Sequence, residues 1–113
     1  MRTEQQTLSL IRKYVTDSQD DRARSNSTGA AVVSLLEDRP SALSTVEKHF
    51  DSFVGKDRFW LYALVGLLTA NHDETMKFYA KRMPCEDDPA CCRLLEAAER
   101  NKRKPNKEIH RNQ

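Results

Sequence analysis

Phe59-Trp60-Leu61-Tyr62-Ala63-Leu64-Val65-Gly66-Leu67-Leu68 decides how the rest of the chain is read. It is ten residues without a charge in a protein where 32% of residues carry one. A helix that is apolar on every side has to be surrounded by other elements. Ten residues are about half of what a bilayer crossing needs. The stretch therefore predicts the central helix of a small all-α bundle, and the flanking sequence is read as the helices that surround it.

Upstream, Leu8, Ile11 and Val15 recur at helical spacing, widened by Leu10 and Tyr14, which predicts a first helix over 3–16. Residues 17–28, DSQDDRARSNST, have no large apolar side chain and no period, so a flexible loop is expected there. A second helix over 29–38 carries Val32, Val33, Leu35 and Leu36, with Ser27 or Thr28 as its cap and Arg39-Pro40 as its end. Ser41 is read as the cap of a third helix reaching Val54, with Leu43, Val46, Phe50 and Phe53 inward. Gly55 is expected to take the left-handed conformation, and Asp57 to cap the central helix. Within that helix Gly66 is expected to admit another backbone, and Trp60, Leu64 and Leu67 to lie in the chain's own core.

Downstream, Asp73 is read as the cap of a fifth helix with Met76, Tyr79, Ala80 and Met83 inward, broken by Pro84. Cys85–Pro89 reads as an acidic turn, and Pro89 opens a sixth helix bearing Cys91, Leu94, Leu95 and Ala98. The expected fold is a single bundle of about five to six helices over 1–99, with short turns and one longer loop at 17–28. A basic, disordered tail over 100–113 completes it. Three Gly and four Pro in 113 residues fit that class better than a turn-rich β protein.

Charge and cysteines bound the function classes. The net charge of +2 conceals a tail, 99–113, with six Lys or Arg against two Glu, on a mildly acidic body. No basic face for nucleic acid is visible in the body, so any RNA contact is expected to be weak and confined to 100–113. Three cysteines, two of them the adjacent pair Cys91-Cys92, predict free thiols in a reducing compartment. No long apolar segment marks a signal peptide, so cytoplasm and nucleus are the expected locations.

Catalytic signatures are missing from the sequence: its three glycines are isolated, and there is no HExxH or GxSxG. Cys85, Cys91, Cys92 and His72 lack the paired spacing of a zinc site. His49 reads as a surface histidine beside an aromatic, His72 as a helix-end residue and His110 as part of the tail. No enzyme, no cofactor, no metal, no small-molecule ligand and no membrane are expected. The wide stripe of the first helix is read as core, with a groove for a foreign helix as the sharper alternative.

The order of these helices resembles a known family. Residues 30–54, AAVVSLLEDRPSALSTVEKHFDSFV, are similar to the helix pair preceding the best-known segment of the second Gemin protein family, the SMN-interacting proteins. There the pair is followed by a charged turn and a Trp-Leu-Tyr-Ala-Leu helix, matched here by Trp60-Leu61-Tyr62-Ala63-Leu64. Lys81-Arg82-Met83-Pro84-Cys85 stands where the family has a basic helix ending near Arg-Arg-Cys. Glu4-Gln5-Gln6 with Leu8-Ser9-Leu10-Ile11-Arg12 resembles the family's earlier glutamine-rich helix.

The resemblance spans about residues 3–85 and implies a helical scaffold in spliceosomal small nuclear ribonucleoprotein assembly. Its implied partners are an amphipathic helix of the survival-of-motor-neuron protein and the Sm proteins. The partner-binding residues expected from it are Leu8, Ile11, Val15, Phe59 and Tyr62, with Arg12 or Arg58 meeting an acidic residue. Three features depart from the family. Its N-terminal arm has no counterpart in these 113 residues, and Phe59 replaces the arginine that precedes the family's tryptophan. Ala90–Lys104 is shorter and more basic than the family's last apolar helix. The alternative reading is a helical adaptor of another family that self-associates through the same stripe.

Overall fold

The computed structural model describes residues 2–20 and 28–103, with the backbone alone for 101–103. Most of the expected loop 17–28, the candidate cap Ser27 and the tail from 104 onward lie outside the described residues. Six α-helices and no strand are found among the described residues, in an all-α bundle: α1 Glu4–Ser18, α2 Gly29–Leu36, α3 Arg39–His49, α4 Lys56–Leu68, α5 His72–Arg82 and α6 Pro89–Arg103.

Local chemistry sets the boundaries. Thr3 accepts from the Gln6 N–H at 3.1 Å while the Gln6 carboxamide accepts from the Thr3 N–H at 2.9 Å, a reciprocal cap that starts α1. α1 runs two residues past the expected end and takes in Asp17 and Ser18. Pro40 does not end the second helix. It sits in the first turn of α3, where a missing N–H costs no helical hydrogen bond, and Asp38, not Ser41, caps by accepting from the Ser41 N–H. Past His49 the chain tightens into a 3₁₀ turn, Phe50–Ser52, which carries Phe50 into the core. Gly55, at φ 58°, precedes α4, and Asp57 falls inside the first turn. Asn71, two residues before the expected Asp73, caps α5 by accepting from the Glu74 N–H. Pro84 lies in a second 3₁₀ turn, Met83–Cys85.

α4 is the central element and touches every other helix. Its Leu61, Tyr62, Leu64, Val65 and Leu68 have no exposed surface. Around them lie Leu8, Ile11 and Val15 of α1, Ala31 and Leu35 of α2, Val46 of α3, Phe50 of the first 3₁₀ turn and Phe53 just after it, and Cys91 and Leu95 of α6. Fully burying one such aliphatic side chain is worth about 1.5–3 kcal/mol.

The uniformly apolar helix is nevertheless not covered all round. Leu67 is 51% exposed and Trp60 is half-buried, because five short helices do not close around a sixth on every side. On α5 Ala80 faces solvent, and Phe78, whose ring lies 5.7 Å from that of Phe50, takes the inward position. Gly66 is a further departure: no backbone approaches it, and a Cβ there would meet only the Tyr79 hydroxyl at 3.8 Å. Gly66→Ala is therefore expected to stabilise the fold by about 1 kcal/mol, since nothing opposes the gain in helix propensity. Urea unfolding of the two proteins measures it, and a loss of stability would show that this side of α4 is more crowded than the distance indicates.

Candidate functional site

The residues expected to hold a partner do not form one surface. Leu8, Ile11 and Val15 are covered by the chain's own core, so the stripe of α1 is filled from within and is not an open groove. Tyr62 is fully buried. Phe59 is half-buried, edge-on to Trp60 with ring centroids 6.0 Å apart. The two arginines face opposite ways. Arg12 lies on the surface with its guanidinium 5.1 Å from the centre of the Phe53 ring. Arg58 turns inward, donating from Nε to the Phe53 carbonyl at 2.9 Å and from Nη1 to Glu86 at 2.7 Å.

Glu86 is the residue that sequence reasoning missed. The acidic turn delivers a carboxylate whose side chain is wholly buried. It accepts from the Tyr62 hydroxyl at 2.5 Å, from Arg58, and from the Asp88 N–H at 3.0 Å, and Arg82 of α5 stands 3.5 Å away. Arg82 also reaches Asp51 at 2.8 Å and lies 4.4 Å over the Phe50 ring. One carboxylate thereby joins α4, α5 and the entry to α6. Burial alone would raise the Glu86 carboxyl. The hydrogen bonds from Tyr62, the Asp88 N–H and Arg58 outweigh it and hold the group at about 2. Burial, and then the bond to Glu86, push the Tyr62 phenol upward. The legible signal was spacing: Arg58 and Tyr62 stand four apart on α4, and Arg82 and Glu86 four apart across the end of α5.

The concave apolar surface lies elsewhere. Tyr14 of α1, Val32 and Val33 of α2 and Trp60 and Leu67 of α4 line a groove of about 410 Å³, with Val33 64% exposed. A second groove of about 490 Å³ runs between α3 and α5 over Leu43 and Phe78, spanned by the Lys81–Glu47 ion pair at 3.0 Å. Among the described residues no group of three or more His, Cys, Asp or Glu is placed to hold a metal ion, and no helix is long and apolar enough to cross a membrane.

The cysteines are free and differ in environment. Burial, and then the contact with Asp88, push the Cys91 thiol up to about 12. Cys92 is half-buried with its Sγ 3.4 Å from the Glu86 carbonyl, and Cys85 is exposed. A thiol reagent at pH 8 is expected to modify Cys85 promptly and Cys91 only on unfolding. Mass mapping of the first-labelled site checks this, and early labelling of Cys91 would contradict the closed core around it.

With this geometry in hand, comparison of the chain with protein-family models, curated proteins and solved structures finds no match in any of the three.

Proposed function

We propose that this chain is a non-enzymatic scaffold of the second Gemin type. On this reading it holds an amphipathic helix of the survival-of-motor-neuron protein and engages Sm proteins during spliceosomal ribonucleoprotein assembly, in cytoplasm and nucleus. The observation that carries the reading is the groove on α4 that the described residues leave open, on the same helix as the Trp60–Leu64 resemblance to that family. Trp60 and Leu67 are seven residues apart, about 10.5 Å along the axis, which suits two anchors of a docked helix two turns apart. The groove takes the place of the α1 stripe as the docking site, since Leu8, Ile11 and Val15 are already spent on the core. Phe59, edge-on to Trp60, stands beside it.

A single tryptophan makes the reading testable. A synthetic peptide of the motor-neuron protein's N-terminal helix should shift Trp60 emission and raise the melting temperature. Ligand at a hundred times its dissociation constant stabilises by about 2.7 kcal/mol. Leu67→Asp should weaken binding by about tenfold or more while leaving the free protein's stability nearly unchanged. The absence of both an emission change and a melting shift at a large excess of peptide would sink the proposal. A concentration-dependent dimer with no affinity for the peptide would favour the self-associating adaptor. Against that adaptor stands size: a stable dimer buries about 800 Å² per partner. The exposed large apolar residues among those described are Val33, Leu36, Val54 and Leu67, which do not make so broad a face.

A further inference from the structure

Val54 is the most exposed large apolar side chain among the described residues, at 66%. It does not sit on a loose loop. Phe53 on its N-terminal side is buried, donates its N–H to the Phe50 carbonyl at 3.2 Å, and has its own carbonyl held from inside by the buried Arg58. On the other side Gly55 takes a positive φ, and its carbonyl accepts the Phe59 N–H at 3.1 Å. The Val54 carbonyl accepts the Asp57 N–H at 3.1 Å. An apolar side chain is thus presented to solvent on a backbone fixed at both ends, which lowers the entropy lost when a partner covers it.

The charges around this turn are not balanced in their engagement. Asp57 accepts from the Gln19 carboxamide at 2.7 Å, and Asp51 is paired with Arg82 at 2.8 Å. Arg12, whose guanidinium lies over the ring of Phe53, the neighbour of Val54 in the chain, has no carboxylate of the described residues within ion-pair distance, and neither does Lys56 in the turn itself. A guanidinium stacked on an aromatic face loses little freedom when its edge binds a carboxylate. We propose that Arg12, Val54 and Lys56 form a second docking surface, distinct from the Trp60 groove, for an acidic protein segment that places an apolar side chain beside its carboxylates. Tyr14 and Ser18, which line the groove, are about 200° and 240° around α1 from Arg12, so one docked helix does not reach both surfaces. A scaffold with two separate surfaces can hold two partners at once.

The test uses the full chain and a capped peptide alternating leucine and aspartate as the probe, followed by amide and arginine side-chain NMR shifts. The matched peptide with asparagine in place of aspartate is the control. The expected result is perturbation centred on Val54, Gly55 and the Arg12 Nε–H, with the asparagine peptide about tenfold weaker. Added salt should weaken the aspartate peptide alone. Arg12→Glu and Val54→Ser should each reduce affinity by about fivefold or more, and Arg12→Gln, which keeps a flat polar group over Phe53, guards against a folding artefact. Equal affinity for the two peptides, unchanged affinity in Arg12→Gln and Val54→Ser, or perturbation centred on Trp60 would overturn the proposal. The last outcome would leave the groove reading intact, and failure of the motor-neuron peptide would leave this surface untouched.

Discussion

Glu86→Ala is expected to lower the unfolding free energy by about 3–5 kcal/mol at neutral pH, because it removes the buried carboxylate that a buried guanidinium and a buried phenol share and leaves Arg58 only the Phe53 carbonyl and the exposed Asp87. For a chain of this size that is a melting shift of about 10 °C or more. The origin of the loss is the geometry of the cluster: Arg58 at 2.7 Å and Tyr62 at 2.5 Å both point at a side chain with no solvent exposure. The surface pair Lys48–Glu4, at 3.1 Å and largely exposed, provides the contrast; Lys48→Ala should cost less than about 1 kcal/mol. The acid dependence follows with a definite sign. The carboxyl titrates near 4.5 when unfolded and at about 2 when folded, so the unfolded chain binds the extra proton. Its contribution is complete above about pH 5 and is lost as pH falls from there towards 2. Denaturant titrations of wild type and Glu86→Ala at a series of pH values should therefore show a gap that narrows only in acid. A gap below about 1 kcal/mol at pH 7 would mean that the carboxylate is not the tie between α4, α5 and α6.

Leu64→Ala and Leu67→Ala should separate sharply although the two residues sit three apart in the same apolar run. Leu64 has no exposed surface, and its truncation leaves a cavity that the surrounding helices fill only partly, for a cost of about 2–5 kcal/mol. Leu67 is half in solvent on the rim of the groove, so its truncation should fall within about 0.5 kcal/mol of wild type. Chemical denaturation of both variants decides it. A large loss in Leu67→Ala would mean that the groove is closed in solution.

That pair also marks how far the sequence could be read. The run from Phe59 to Leu68 correctly implied a central helix and hence an all-α bundle, because a charge-free helix has few other places to go. Its periodicity carried no information about which side stayed uncovered: with apolar residues all round, Leu64 and Leu67 look alike until the neighbours are placed. Helix ends shifted by a few residues where two chemistries competed. Asp38 and Ser41 are both good caps, and Pro40 between them suits the first turn of a helix as well as it ends one. Glu86 was hidden for a different reason. A glutamate in a turn reads as solvated unless Arg58 and Tyr62, 28 and 24 residues away, are known to converge on it, and that convergence is tertiary. Arg58 poses the same difficulty, since a surface arginine and one folded back on a buried carboxylate have the same sequence.

The contact of α4 with all five other helices has a consequence for motion. In a chain of stacked hairpins, an outer pair can open while the rest stays native. Here any helix that swings away uncovers part of the same central element, so openings large enough to expose its backbone approach the cost of unfolding the whole domain. Tying the turn at 86–88 to Arg58 and Tyr62 extends that coupling across nearly thirty residues of sequence. The fold is expected to unfold as one cooperative unit, and the α4 groove and the turn at Val54 are held in fixed relation to each other by the same helix.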